Sequence, residues 1–408
     1  MLRAPLTAAL TMILAASALV LAAPAVAKGP PDPARFATFN ASLNRFSLGA
    51  LAADLSTRDN AQAKAVAEII QRTAPDVLLI NEFDYDPAAL DLFRGNYLEV
   101  SQNGADPIEY PYAFIAPSNT GVPSGFDLNN NGSIGGPDDA LGFGFFPGQF
   151  GMAVYSRHPI QETDIRTFRT FLWADMPGAL LPTDPTTGEA WYTDAELDVL
   201  PLSSKSHWDI PISIGGSIVH FLVSHPTPPV FDGLEDRNGR RNFDEIRLWA
   251  DYVTPGAGDY IYDDAGVFGG LRPGSRFVIA GDQNSDPLDG DSIPGSIQQL
   301  LDNPRVNATF TPSSAGAVEA AALQGGANLA HRSDPAFDTA DFNDNPAPGN
   351  LRADYVLPSR QLRIVDGAVF WPVQGEPLFR LTGVFPFPSS DHRLVWVDVM
   401  VPGSARGS

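Results

Sequence analysis

Residues 276–287 read Arg-Phe-Val-Ile-Ala-Gly-Asp-Gln-Asn-Ser-Asp-Pro. Arg276 to Ala280 is a continuous apolar run of the kind that a strand buried on both faces needs, and Asp282 and Asn284 follow it at once. The same order recurs along the chain. Asp76-Val77-Leu78-Leu79-Ile80 leads to Glu82, Ser217 to Ser224 leads to His225, and the shorter run Arg35 to Phe39 leads to Asn40. Asp354 to Leu357 and Leu394 to Met400 also read as strands. Between the first two runs, Ala63, Val66, Ile69 and Ile70 share one face of a helix that stops before Pro75. Alternating strand and helix, with polar residues at the strand ends, predicts a layered α/β fold whose ligands bind where those ends converge.

Composition narrows the class. The chain has 408 residues, 44% of them hydrophobic, and no Cys, which excludes a disordered tail, a disulfide-stapled miniprotein and a zinc-thiolate domain. Gly and Pro number 37 each, which favours ordered loops over a long-helix bundle. A net charge of −22 opposes tight binding to a polyanion, because duplex DNA draws much of its affinity from Lys and Arg. Segments 100–148, 161–205 and 312–350 are rich in Gly, Pro and Asp with little periodicity, and read as insertions around a single domain spanning 28–408.

The first residues read as an export signal. Arg3 precedes the apolar run Leu6 to Leu21, and Ala25-Val26-Ala27 supplies the small-x-small pattern before a cleavage point after Ala27. The alternative is a membrane anchor, although the run is short for a spanning helix. No later stretch is apolar enough to span a membrane, so the expected product is secreted or periplasmic, without stable membrane insertion.

Six polar stations stand at or after the apolar runs: Asn40, Glu82, His225, Asp282 with Asn284, Arg352 with Asp354, and Ser390-Asp391-His392. Carboxylate and amide oxygens suit a hard cation such as Mg2+, and the two His can exchange protons near neutral pH. Together they make a tool set for metal-assisted attack of water on phosphorus. Taken singly, a residue such as Glu82 is more often a surface carboxylate at a strand end, and Asp282 could be just the start of an Asx turn.

At this point the sequence resembles the endonuclease/exonuclease/phosphatase superfamily. Gly281-Asp282-Gln283-Asn284-Ser285-Asp286-Pro287 is similar to its Gly-Asp-x-Asn-x-x-Pro, and Ser390-Asp391-His392 to its terminal Ser-Asp-His. The resemblance implies a four-layered α/β sandwich, two mixed β-sheets packed face to face with helices outside. It also implies that Glu82 holds a catalytic Mg2+ or Mn2+ with Asn40 and Asp391. His392 held by Asp354 is then the acid/base pair, Asp282 orients the water, and Asn284 and His225 hold the phosphoryl oxygens.

Three further features need a reading. Asp127, Asn129, Asn131, Ser133 and Asp138, with Gly132 and Ile134, match a twelve-residue calcium loop, which predicts a structural Ca2+ at 127–138; the alternative is an unliganded polar turn. Arg237, Arg240 and Arg241 fall within five residues and either grip phosphate oxygens or pair with nearby carboxylates at a helix start. Lys205 and His207, beside Trp208, are candidates for substrate contact. The expected substrate is a small phosphomonoester or phosphodiester. The alternatives are an extracellular nuclease or a sphingomyelinase-like enzyme that docks through Phe143, Phe145, Phe146 and Phe150, a stretch that also fits a core strand. A non-enzymatic calcium-dependent surface module fits least, since no catalytic station is missing.

Overall fold

A computed structural model describes residues 1–2 and 33–403, so the export signal, Met1 and Leu2 aside, lies outside the described residues. In chain order the strands are β1 (Ala34–Leu43), β2 (Val77–Phe83), β3 (Tyr112–Phe114), β4 (Met152–Ser156), β5 (Arg166–Thr167), β6 (His207–Ile214), β7 (Ser217–Ser224), β8 (Arg276–Asp282), β9 (Ala340–Asp341), β10 (Asn350–Leu351), β11 (Asp354–Pro358), β12 (Arg363–Val369) and β13 (Val395–Met400). Six form one sheet in the order β12-β13-β1-β2-β4-β3, and five form another in the order β11-β8-β7-β6-β5. Each is mixed: β1–β2 and β7–β8 run parallel, and the other pairs antiparallel.

Period-two alternation builds the layers. Phe36 on β1, Val77 and Leu79 on β2, and Val395, Val397 and Val399 on β13 meet Phe221 and Val223 on β7 and Val278 and Ala280 on β8 in a core between the sheets. The opposite faces are equally apolar. Ala37, Phe39, Leu78 and Ile80 pack under Ala63, Val66, Ile69 and Ile70 of the helix Ala61–Thr73. Phe277 and Ile279 pack under Ile246, Trp249 and Val253 of the helix Arg237–Val253. Helix, sheet, sheet, helix is the four-layered sandwich expected. Each buried Val, Leu, Ile or Phe contributes roughly 1.5–3 kcal/mol, so the three apolar layers dominate stability.

The helix Ala61–Thr73 shows local sequence rules at both ends. Asn60 caps it, its side chain accepting from the Ala63 amide at 2.9 Å, and Ala74 ends it in a left-handed turn before Pro75.

The supposed insertions hold more regular structure than their composition suggests. Segment 100–148 contains β3, an edge strand of the first sheet, and 161–205 contains β5, the edge of the second. Segment 312–350 carries the helix Ala315–Gln324 and β9, which pairs with β10. Short edge strands have too few residues for periodicity to register. Among the described residues no helix is long and apolar enough to cross a membrane.

Candidate active site

The inward-facing alternation that fills the core also builds the site. Following Phe36 and Thr38 at steps of two brings Asn40; following Val77 and Leu79 brings Asn81. On the second sheet the same count runs from Val278 and Ala280 to Asp282, from Phe221 and Val223 to His225, and from Val356 back to Asp354. The core face turns polar at one end of both sheets, and the polar ends meet. Asn40 Nδ2, on the first sheet, donates to Asp282 Oδ2 on the second at 3.0 Å. Asn81 Oδ1 accepts from the Asp282 amide at 3.2 Å, and its Nδ2 donates to the Ser224 carbonyl at 3.3 Å.

Glu82 breaks this parity. On β2 it belongs to the outward set of Leu78 and Ile80, yet its φ of 57° lies in the left-handed region and its side chain meets Asn40, whose Nδ2 donates to Glu82 Oε1 at 3.1 Å. Asn284 and Ser42 share this conformation, with φ of 50° and 48°. A non-glycine residue there costs on the order of 1 kcal/mol, and such positions gather at functional sites.

His392 Nδ1 lies 2.8 Å from Asp354 Oδ2, which also accepts from Thr339 Oγ1 at 2.8 Å. The other ring nitrogen, Nε2, is 3.6 Å from Asp282 Oδ2, and His225 Nε2 approaches the same oxygen at 3.4 Å. All four residues are buried. Burial by itself lowers the His392 pKa, but the carboxylates of Asp354, Asp282 and Asp391 outweigh it and hold the ring well above the ordinary histidine range. His225 goes the other way: burial and the Lys205 ammonium push it down to about 4. Burial raises the Asp282 carboxyl, but the two imidazoles and the Asn40 amide overcome that and leave it below the usual carboxylate range. Two histidines on one carboxylate are thus tuned apart, one to carry a proton and one to stay neutral.

Burial, reinforced by Asp391, pushes Glu82 up to about 7. Asn40 is its only hydrogen-bond partner among the described residues. A half-buried carboxylate beside Asp391 and Asp282, raised in spite of the nearby His392, fits a divalent-ion site made of oxygen ligands. Asp391 is held within reach by the Ser42 and Ser390 hydroxyls, each 3.3 Å from its Oδ1. Asp282, Asp354 and His392 form a second metal-competent group, their ligand atoms within 4.8 Å of one another; the Asp354–His392 hydrogen bond engages two of its three members.

Asn284 stands with this group: its amide donates to Asp282 Oδ1 at 2.9 Å and its Nδ2 to the Pro226 carbonyl at 3.1 Å. Lys205 lines the same cavity as Glu82 and His225. The residue is buried, at 7% exposure, and its ammonium makes no ion pair among the described residues. Burial lowers its pKa, while the Glu245, Glu82 and Asp282 carboxylates oppose that fall.

Other expected residues are placed differently. His207 lies in the core of the second sheet, its Nδ1 2.6 Å from Ser203 Oγ and its Nε2 2.9 Å from the Glu245 carbonyl, so no ring nitrogen is left for a substrate. Arg241 donates to the carbonyls of Leu202, Leu141 and Pro201 at 2.7–2.8 Å. Arg237 pairs with Glu235, and Arg240 donates to the Glu235 carbonyl. The cluster tightens the helix start and the loops beside it rather than offering a phosphate fork. The calcium-loop reading also gains no support. Asp127 accepts from the Asn131 and Gly132 amides, Asn129 from Asn131, and Asn131 from Ser133, as in a chain of Asx turns. Asp139, not Asp138, reaches back across the loop to the Leu128 and Gly135 amides. Phe143 to Phe150 form a loop, not a strand.

Sequence reasoning missed Asn81, Thr339 and Arg393. Asn81 carried a signal, since it holds the inward parity of Val77 and Leu79. Thr339 and Arg393 carried none. Thr339 acts across fifteen residues on Asp354, and Arg393, buried over the Trp371 ring at 4.3 Å, holds the Ser390 and His392 carbonyls.

The family model described as Endonuclease/Exonuclease/phosphatase family matches residues 37–392. No curated protein sequence matches the chain. Similar solved structures include an endonuclease/exonuclease/phosphatase from Beutenbergia cavernae, 17% identical with a TM-score of 0.48, covering 91% of this chain and 72% of that one. Sphingomyelinase C from Streptomyces griseocarneus is 14% identical, TM-score 0.44, over 90% of this chain and 99% of that one. A beta toxin mutant from Staphylococcus aureus with bound magnesium ions is 13% identical, TM-score 0.43, over 90% and 99%. The chain belongs to the endonuclease/exonuclease/phosphatase family of metal-dependent phosphoric ester hydrolases.

Proposed function

We propose that this chain is an exported Mg2+- or Mn2+-dependent hydrolase of small phosphomonoesters or phosphodiesters. The observation that carries the reading is the convergence of Asn40, Glu82, His225, Asp282, Asp354 and His392 from both sheets on one polar end of the core, all but the half-buried Glu82 fully buried. A divalent ion held by Glu82, with Asn40 and Asp391, supplies positive charge against the phosphoryl oxygens. Asp282 accepts a hydrogen bond from the attacking water and orients it. His392, kept protonated by Asp354 at Nδ1, has its Nε2–H to donate toward the phosphoryl group. His225, neutral at physiological pH, and Asn284 hold its oxygens, and the unpaired Lys205 ammonium draws the anionic ester into the cavity.

The substrate class rests on charge. At −22 the protein repels a polyanion, and its arginine cluster is tied to backbone carbonyls and Glu235, so it offers no basic track for DNA. Export rests on Arg3, the apolar run to Leu21 and Ala25-Val26-Ala27, and predicts a periplasmic or secreted product beginning at Lys28. The deciding experiment compares small aryl phosphate mono- and diesters with supercoiled plasmid, at low and physiological salt. Robust hydrolysis of small esters, dependent on Mg2+ and lost in EDTA, with weak nicking is expected. Plasmid nicking of comparable efficiency at physiological salt overturns the substrate class in favour of a nuclease.

A further inference from the structure

A cavity of about 500 Å3 opens beside the reacting groups, and Glu82, Lys205 and His225 are part of its lining. The remaining wall is mostly apolar. Leu128, Ala140, Phe143 and Phe150 come from the loops before β4; Tyr192 and Leu200 from the segment before β6; Val230 and Phe231 from the loop after β7. Leu128, Ala140, Phe143, Tyr192 and Leu200 lie in segments whose sequence reads as insertions, and those segments close around the site through specific bonds. The Trp191 indole donates to the Leu128 carbonyl at 3.1 Å, Arg241 ties the Leu141 carbonyl to Pro201 and Leu202, and the Asn119 amide donates to the Lys205 carbonyl at 2.9 Å. The polar loop 127–139 thereby holds Leu128 in the wall, its amide bound to Asp139.

We propose that this cavity is the specificity pocket of the enzyme and takes an uncharged apolar arm, alkyl or aryl, of the phosphate ester. The proposal rests on the phosphoesterase reading and names its substrate class. The cavity size is that of a small-molecule site, and its lining joins the reacting groups Glu82, Lys205 and His225 to a set of aromatic and aliphatic side chains that takes no part in the chemistry. The arginines of the wall offer no free fork for a second anion, because the Arg237 donors are engaged by Glu235 and those of Arg241 by three carbonyls, while Asp138 adds negative charge. In hydrolysis the water oxygen forms the new P–O bond as the ester P–O bond breaks; one water proton ends on the released alcohol and the other on the phosphate.

The test uses the full metal-loaded chain. Binding of n-alkylphosphonates from ethyl to hexyl is measured by calorimetry, and hydrolysis of the matching n-alkyl phosphates by phosphate release. Each added methylene should lower Kd and raise kcat/KM by about fourfold while the pocket fills. Phe143→Ala, at a half-exposed wall position that tolerates truncation, should flatten the series, and Ala140→Phe should cut it off at shorter chains; thermal melts check that both fold. Affinity that does not change with chain length in the wild type overturns the pocket, and so do two folded variants that keep the wild-type slope. Chain-length-dependent binding without turnover of any phosphate ester overturns the hydrolase reading and leaves the pocket standing.

Discussion

His392 and Asp354 share a 2.8 Å hydrogen bond through Nδ1 and Oδ2, which turns the opposite nitrogen of the imidazole toward Asp282. Asp354 comes from β11, an edge strand of the second sheet, while His392 lies in the loop before β13 of the first. The pair therefore pins the two sheets together at the site. Replacing Asp354 by Asn keeps the shape but removes the charge that holds His392 protonated. Turnover should fall by about 10²–10⁴-fold, while the melting temperature changes far less. Steady-state kinetics with a thermal melt on the same sample check this.

Glu82→Gln should lower Mg2+ affinity and cut kcat/KM by orders of magnitude while the protein stays folded. Its carboxylate lies at the end of β2 and contributes no apolar packing. Titrating activity against Mg2+ separates the two effects: a weaker ion shifts the midpoint, and a misplaced one lowers the plateau. Wild-type turnover that survives exhaustive EDTA contradicts the metal mechanism.

Asn81 joins three elements by accepting from Thr38 Oγ1 and the Asp282 amide and donating to the Ser224 carbonyl. Asn81→Leu leaves those buried groups without partners, each costing about 1–3 kcal/mol. Urea unfolding should show a clear loss of stability, together with a fall in kcat larger than that in 1/KM, because Asp282 loses one of its supports.

The pH dependence of stability has a specific contributor in His207. Burial, only partly opposed by Glu245, pushes its pKa down to about 4, against about 6.5 in the unfolded chain. Between these values the unfolded state binds the extra proton, so stability is complete above pH 6.5 and falls as pH drops toward 4. Unfolding free energies at pH 7 and pH 5 should differ less in His207→Gln than in the wild type. An equal difference in both removes His207 from the account.

Arg241→Ala should lower the melting temperature and loosen the cavity wall, since three carbonyls lose their buried donor. Hydrogen exchange in the 140–145 and 200–203 segments should rise. KM for a very small ester such as methyl phosphate should move less than KM for a bulky one.

The main chain of the site was legible without coordinates because burial forces a pattern. Strands covered on both faces must be apolar throughout, so the points where polarity returns, at Asn40, Glu82, His225, Asp282 and Asp354, mark strand ends, and the Gly281–Pro287 and Ser390–His392 motifs identify the family. Glu82 shows the limit of that reasoning: counting along β2 places it on the outer face, and only the left-handed backbone turns it inward. The arginine cluster and His207 show a second limit. A side chain's type records what it can bind, but its partner is set by which loops fold over it, and backbone carbonyls from residues 141, 201, 202 and 245 carry no sequence signal. Composition and periodicity determined an α/β chain of buried strands with polar residues at their ends and an acidic net charge, and the family resemblance implied the four layers and the roles of those stations. Long-range packing decided which of those stations meet, which cations are free, and that low-periodicity segments enclose an apolar cavity, because such contacts join residues far apart in the chain whose pairing no local pattern encodes.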